Sequence, residues 1–148
     1  MAQLAAPPKK APSGAQVTPG SPPPRPAYSV YAPECPTRMV LDRIADRWSG
    51  LVLGRLAREP MRFNRIRREV PGVSQKVLSQ TLKRLERDGL VGREAFPTVP
   101  VTVEYRITPL GLTLNQAVQT IVAWAEGNIE AVLAAQAAYD AQGARALS

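Results

Sequence analysis

Histidine is absent from the chain and cysteine occurs once, as Cys35. Neither a Ser-His-Asp nor a Cys-His nucleophile can therefore be assembled, nor a Cys/His zinc site, nor an intramolecular disulfide. Asp42 and Asp46 stand four residues apart. Arg38, Arg43 and Arg47 surround them, so surface ion pairs on a helix are expected there rather than a general acid–base couple. No glycine pattern forms a phosphate cradle, and Gly111 and Gly127 read as packing or helix-break positions. These exclusions point away from an enzyme, and they call for no metal and no cofactor. Cys35 is the remaining candidate for covalent chemistry. It is placed at the start of a helix, with Pro36 behind it and Arg38 within one turn. The helix dipole and that cation both lower a thiol pKa, while Glu34 opposes them. Two readings stay open: a sensing thiol that takes an oxidant or an electrophile, and an inert thiol at a domain edge.

The second chemistry is electrostatic. The formal net charge is +7, a surplus that suits phosphate-bearing partners. It is unevenly placed. Arg38 to Arg93 holds 14 Lys or Arg against 6 Asp or Glu, whereas Glu94 to Ser148 holds 2 against 5. Within the cationic part, Arg62, Arg65, Arg67 and Arg68 precede a segment, Ser74 to Arg87, with helical periodicity. Leu78, Leu82 and Leu85 mark one face of that segment. Lys76, Gln80, Lys83 and Arg87 fall opposite, flanked by Ser79 and Arg84. Glutamine can bond an adenine edge and lysine a guanine edge. A solvated amphipathic helix would look similar on its own, but the arginines before it shift the reading towards nucleic acid.

The elements that must position these groups follow from breakers and caps. Residues 1–34 are dense in proline and nearly free of large apolar side chains, as expected of a disordered, partly polyproline-II tail. That tail lacks the apolar core of a secretory signal. A first helix is expected from Pro36 to about Asp46, using Val40, Leu41 and Ile44. A second starts near Ser49, with Leu51, Val52 and Leu56 on its apolar side and Trp48 at its entrance, and Glu59-Pro60 breaks it. Met61 to Phe63 reads as a short strand and Asn64 to Glu69 as a short helix. Pro71-Gly72 is a turn, Ser74 caps the longer helix, and Asp88-Gly89 stops it. Leu90–Ala95 and Val101–Ile107 form a hairpin. Thr108-Pro109 opens one long helix, or two divided near Gly127-Asn128. Its face from Leu110 through Leu114, Ile121 and Trp124 is wider than one small domain needs.

This order is that of a winged helix-turn-helix, mainly α with a small β-hairpin wing and a C-terminal dimerisation helix. The segments Cys35-Pro36, Asp46-Arg47-Trp48, Met61-Arg62-Phe63-Asn64, Val70 to Leu78, Leu85 to Leu90, Val103 to Gly111 and Trp124-Ala125 together resemble the HxlR-type family of bacterial winged-helix regulators, relatives of the MarR type. The resemblance implies a winged-helix domain over residues 35–126; the alanine-rich chain after it, residues 127–148, is expected to be a helical extension outside the resemblance. It implies a cytoplasmic homodimer on double-stranded operator DNA, with Gln75 joining the DNA-facing residues above. It also implies that the first and last helices build the dimer, with Val40, Ile44, Leu114, Ile121 and Trp124 as the interface. Some members of the family sense quinones, aldehydes or hypochlorite through a cysteine at this place. Two features depart from the pattern: no basic residue lies in the wing tip, Phe96 to Thr102, and Asp46 stands in a segment that is usually glycine-rich. A winged-helix module that binds proteins instead of DNA is the alternative.

Overall fold

The computed structural model describes residues 28–148; most of the proline-rich stretch, residues 1–27, lies outside it. The elements run α1 (Thr37–Ala45), α2 (Arg47–Leu56), β1 (Met61–Arg62), α3 (Phe63–Glu69), α4 (Gln75–Arg87), β2 (Val91–Phe96), β3 (Thr102–Ile107) and α5 (Pro109–Ala146). The three strands form one antiparallel sheet in the order β1-β3-β2, in which Met61 pairs with Tyr105 and Val91 with Ile107. The hairpin is thus the wing, and the short strand before α3 stitches it to the helical part.

The core lies between α2, α3, α4 and the base of the sheet. Val52, Leu53, Leu56, Met61, Ile66, Leu78, Leu82, Leu85 and Val91 are buried together there. On α2 the buried arc is Ser49, Val52, Leu53 and Leu56, whereas Leu51 faces solvent. The expectation for Leu51 fails because its neighbour Leu53, at helical spacing from Leu56, takes the inward side. Ser49 tolerates complete burial because its hydroxyl donates to Asp46 Oδ2 at 2.7 Å. Asp46 also caps α2 by accepting from the Trp48 N–H. That cap gives the aspartate a structural role that its sequence context did not reveal.

Helix ends follow their encoded signals. Ser74 accepts from the Val77 N–H at 3.1 Å to open α4. The helix closes at Gly89, whose φ of 74° suits glycine, and the Leu90 N–H returns to the Leu85 carbonyl. Thr108 accepts from the Gly111 N–H at 3.0 Å and donates to the Gly89 carbonyl at 2.6 Å, so the start of α5 is bound to the end of α4. Gly111 permits this approach, since a Cβ there would lie 2.1 Å from the Leu90 carbonyl oxygen. From that anchor α5 runs unbroken for 38 residues, about 57 Å at the helical rise. Gly127 does not divide it. Residues 30–35 are drawn into turns next to α1, and Arg38 donates to the carbonyls of Val30 and Tyr31. The final residues of the expected loose tail are therefore tethered.

Candidate nucleic-acid interface

The helix-turn-helix is α3, the turn Val70–Ser74 and α4. Leu78, Thr81, Leu82 and Leu85 are inaccessible on the inner face of α4. That geometry forces Lys76, Gln80, Lys83 and Arg87 outward, and all four are exposed. Ser74 and Gln75 are exposed at the N-terminal end of α4, and Ser79 is half-buried at the edge of the outward face. Ser74 acts mainly as the cap. Its hydroxyl is engaged by the Val77 N–H.

The arginines separate into free and engaged ones. Arg62, Arg67 and Arg68 are exposed, and among the described residues none of them has an ion pair. Arg65 is held between Glu59 and Glu69, with its Nε 3.1 Å from Glu69 Oε1. These two carboxylates raise its pKa further. It is a bridged cation, which a phosphate would have to win from two acids. Arg84 leans to the flank, with its guanidinium 3.6 Å from Asp46 Oδ2. Arg62, Arg65, Arg68 and Asn64 border an open groove of about 630 Å³ between α3 and β3. Asn64 was not among the expected contacts; it stands on the exposed first turn of α3 beside them. In the wing, Arg106 pairs with Glu94 at 2.6 Å and Arg93 is exposed on β2, while the tip carries no cation.

Cys35 lies one residue before the N-cap of α1, which is Pro36, and not at the cap itself. The thiol is half-buried and accepts from Thr37 Oγ1 at 3.0 Å. Its pKa is lowered, chiefly by the Thr37 hydroxyl and backbone N–H; Arg38 adds the smallest contribution. The direction agrees with expectation, but the cause is hydrogen bonding to the thiolate rather than a nearby cation.

The expected subunit-contact residues have unequal surroundings. Trp124 is 62% exposed, Ile121 49% and Val40 43%. Ile44 is half-buried on α1, and Leu114 packs partly against the core of its own chain. Helix α1 buries no residue at all. A cleft of about 560 Å³ separates α1 from α5, walled by Met39, Val40, Leu90, Leu110, Leu114 and Ala117. Trp48, by contrast, is half-buried against the core and carries Arg47 over its ring at 4.7 Å.

The HxlR-like helix-turn-helix family model matches residues 43–132, from the end of α1 into the middle of α5, which takes in the helix-turn-helix and the wing and starts after Cys35. The chain belongs to the HxlR-like family. It is 42% identical over 106 residues to the HTH-type transcriptional regulator YtfH of Escherichia coli (strain K12), covering 72% of this chain and 84% of that one. The solved structure of YtfH from Salmonella typhimurium superposes with a TM-score of 0.68 at 40% identity, covering 74% of this chain and 97% of that one. The redox regulator HypR, in its oxidized form, aligns with a TM-score of 0.59 at 38% identity, covering 64% and 97%. The fold is accordingly that of a winged-helix regulator with a long C-terminal helix, and the protein is a transcriptional regulator of helix-turn-helix type. Among the described residues no helix is long and apolar enough to cross a membrane.

Proposed function

We propose that this HxlR-like regulator binds double-stranded operator DNA as a homodimer, with α4 in the major groove and α3 on the phosphate backbone. The observation that carries this reading is the division of α4. One side is sealed in the core, and the other presents Lys76, Gln80, Lys83 and Arg87 with no acid among them. Arg62, Arg67 and Arg68 supply phosphate contacts, and Gln80 reads a base edge. The second copy packs on α1 and on the α5 face around Ile121 and Trp124, where large apolar side chains stand about half exposed or more among the described residues. A protein-interaction module would not need the cationic face.

Selection of bound sequences from random duplex DNA tests this directly. The expected product is a pseudo-palindrome with half-site centres about 10 bp apart. Gln80→Ala should relax one base position, whereas Arg68→Ala should weaken all sequences alike. Recovery of no preferred sequence would reject the reading.

Cys35 is read as the responsive group of this regulator. Its thiolate is favoured by Thr37, it is partly accessible, and the aligned HypR is named a redox regulator. Modification by an oxidant or an electrophile at the foot of α1 would disturb the helix that the dimer uses. Operator titrations of wild type and Cys35→Ser, with and without a quinone, check this. Unchanged affinity of a fully modified wild type would dismiss Cys35 as the switch.

A further inference from the structure

We infer that Arg43, Asp46, Arg84 and Asp88 form a two-pair clamp that sets the pose of the recognition helix against α1, and with it the half-site spacing that the dimer accepts. This inference rests on the DNA-binding reading above; of the four residues, Arg84 alone borders the outward face of α4, and the others lie off it.

The clamp spans the joint between α1 and α2. Arg43 lies in the last turn of α1, and Asp46 is the single residue between the two helices, where it caps α2. Arg84 lies in the last turn of α4 and Asp88 is its C-cap; four residues apart, they continue the row of Gln80 along one flank, beside the buried Thr81. The pairs cross the gap with opposite polarity. Arg43 Nε stands 2.6 Å from Asp88 Oδ2, and Arg84 stands 3.6 Å from Asp46 Oδ2. Sliding α4 by one turn would bring Arg84 towards Arg43, so the charges admit only one register.

The two pairs differ in weight. The Arg43 and Asp88 side chains are only 16% and 13% exposed, so the pair is shielded from water and is also a charge-assisted hydrogen bond. Asp46 and Arg84 are more open, at 25% and 46%, and solvent weakens that pair. The first pair is therefore the main fastener. Its importance comes from what α1 lacks. Helix α1 buries no side chain, and a cleft separates it from α5. Among the described residues, Arg43–Asp88 is the ion pair that fastens α1 to the rest of the chain. A dimer built on α1 and α5 thus holds each α4 at two places, through this contact on the α1 side and through the Thr108–Gly89 bond at the start of α5. Loosening the α1 contact lets α4 tilt relative to the dimer axis while the core beneath α4 stays intact. Arg43, Asp46, Arg84 and Asp88 are accordingly positioning residues.

The test uses the full-length protein and a selected operator, rebuilt with half-site centres 8 to 13 bp apart, as set by the experimenter, together with a single half-site duplex. Wild type should favour one spacing over its neighbours by about tenfold or more. Arg43→Gln and Asp88→Asn should each shrink that preference to about threefold or less while leaving single half-site affinity within about threefold. The charge exchange Arg43→Asp with Asp88→Arg should restore the preference. A merely structural pair would behave differently: the melting temperature and every affinity would fall together, with the spacing ratio unchanged. That result, or failure of the exchange to restore the ratio, overturns the inference. Absence of any DNA binding by wild type would instead overturn the reading on which it rests.

Discussion

Helices α4 and α5 use their apolar residues in opposite ways. In α4, four of 13 residues are buried, they lie on one side, and the other side is polar and cationic. In α5, two of 38 are buried, Gly111 and Val118, while Leu110, Ile121, Trp124, Ile129 and Leu133 remain about half exposed or more. The apolar side of α4 is satisfied within one chain, so its outward face is free for a ligand. The apolar side of α5 is not satisfied, and an exposed stripe of that length marks a surface for another protein surface. Charge follows the same division, since the cationic excess ends at Arg93 and the segment from Glu94 onward is net acidic.

Truncations of the two helices should break or sharpen this contrast most strongly. Leu82 is 1% exposed in α4, and Leu82→Ala should cost about 2–5 kcal/mol in unfolding free energy. Ile121→Ala should change subunit unfolding by about 0.5 kcal/mol or less and should appear instead as weaker self-association in sedimentation. Leu114 lies between these cases. Because it packs partly on its own core, Leu114→Asp should unfold the chain, where Ile121→Asp should dissociate it.

The next contrast lies within α5. Gly111→Ala would press a methyl group against the Leu90 carbonyl and should destabilise by about 3 kcal/mol. Gly127 has open space around it, and Gly127→Ala should stabilise the helix by about 0.5–1 kcal/mol. Thermal melts of the two variants should therefore move in opposite directions. A smaller effect belongs to α4: Thr81 Oγ1 is buried with no hydrogen-bond partner among the described residues. Thr81→Val, of the same shape, should raise stability by about 1 kcal/mol.

The parts of the molecule legible in the sequence are those written locally. Ser74, Gly89 and Thr108-Pro109 mark the ends of α4 and α5 because caps and stops act over a few residues. The periodicity of Leu78, Leu82 and Leu85 fixes which side of α4 faces out. The sequence admits one C-terminal helix or two, because glycine lowers helix propensity without forbidding the conformation and the alanines around it favour continuation. What could not be read was long-range pairing. Nothing near Arg43 announces Asp88, 45 residues away. Arg65 looked like its neighbours Arg67 and Arg68 because one of its two carboxylates, Glu59, comes from the loop before β1. For Cys35 the sequence points to the right direction of pKa shift through the dipole and Arg38, whereas the main cause is the Thr37 hydroxyl two residues on, whose rotamer the sequence does not specify.

The smallest expected effect separates these arginines. Arg68→Ala removes a free cation and should make the salt dependence of operator binding shallower by about 2 for a dimer. Arg65→Ala, which removes a cation already paired with Glu59 and Glu69, should leave the slope nearly unchanged.

The central claim is that the outward face of α4 and the free arginines of α3 meet DNA phosphates as a dimer. Titrations of the wild-type protein with its selected operator over a range of salt concentrations test it most directly. A dimer that neutralises about eight phosphates should give a slope of log K against log salt near −7. A slope near zero would contradict the account and would assign the cationic face to some other partner.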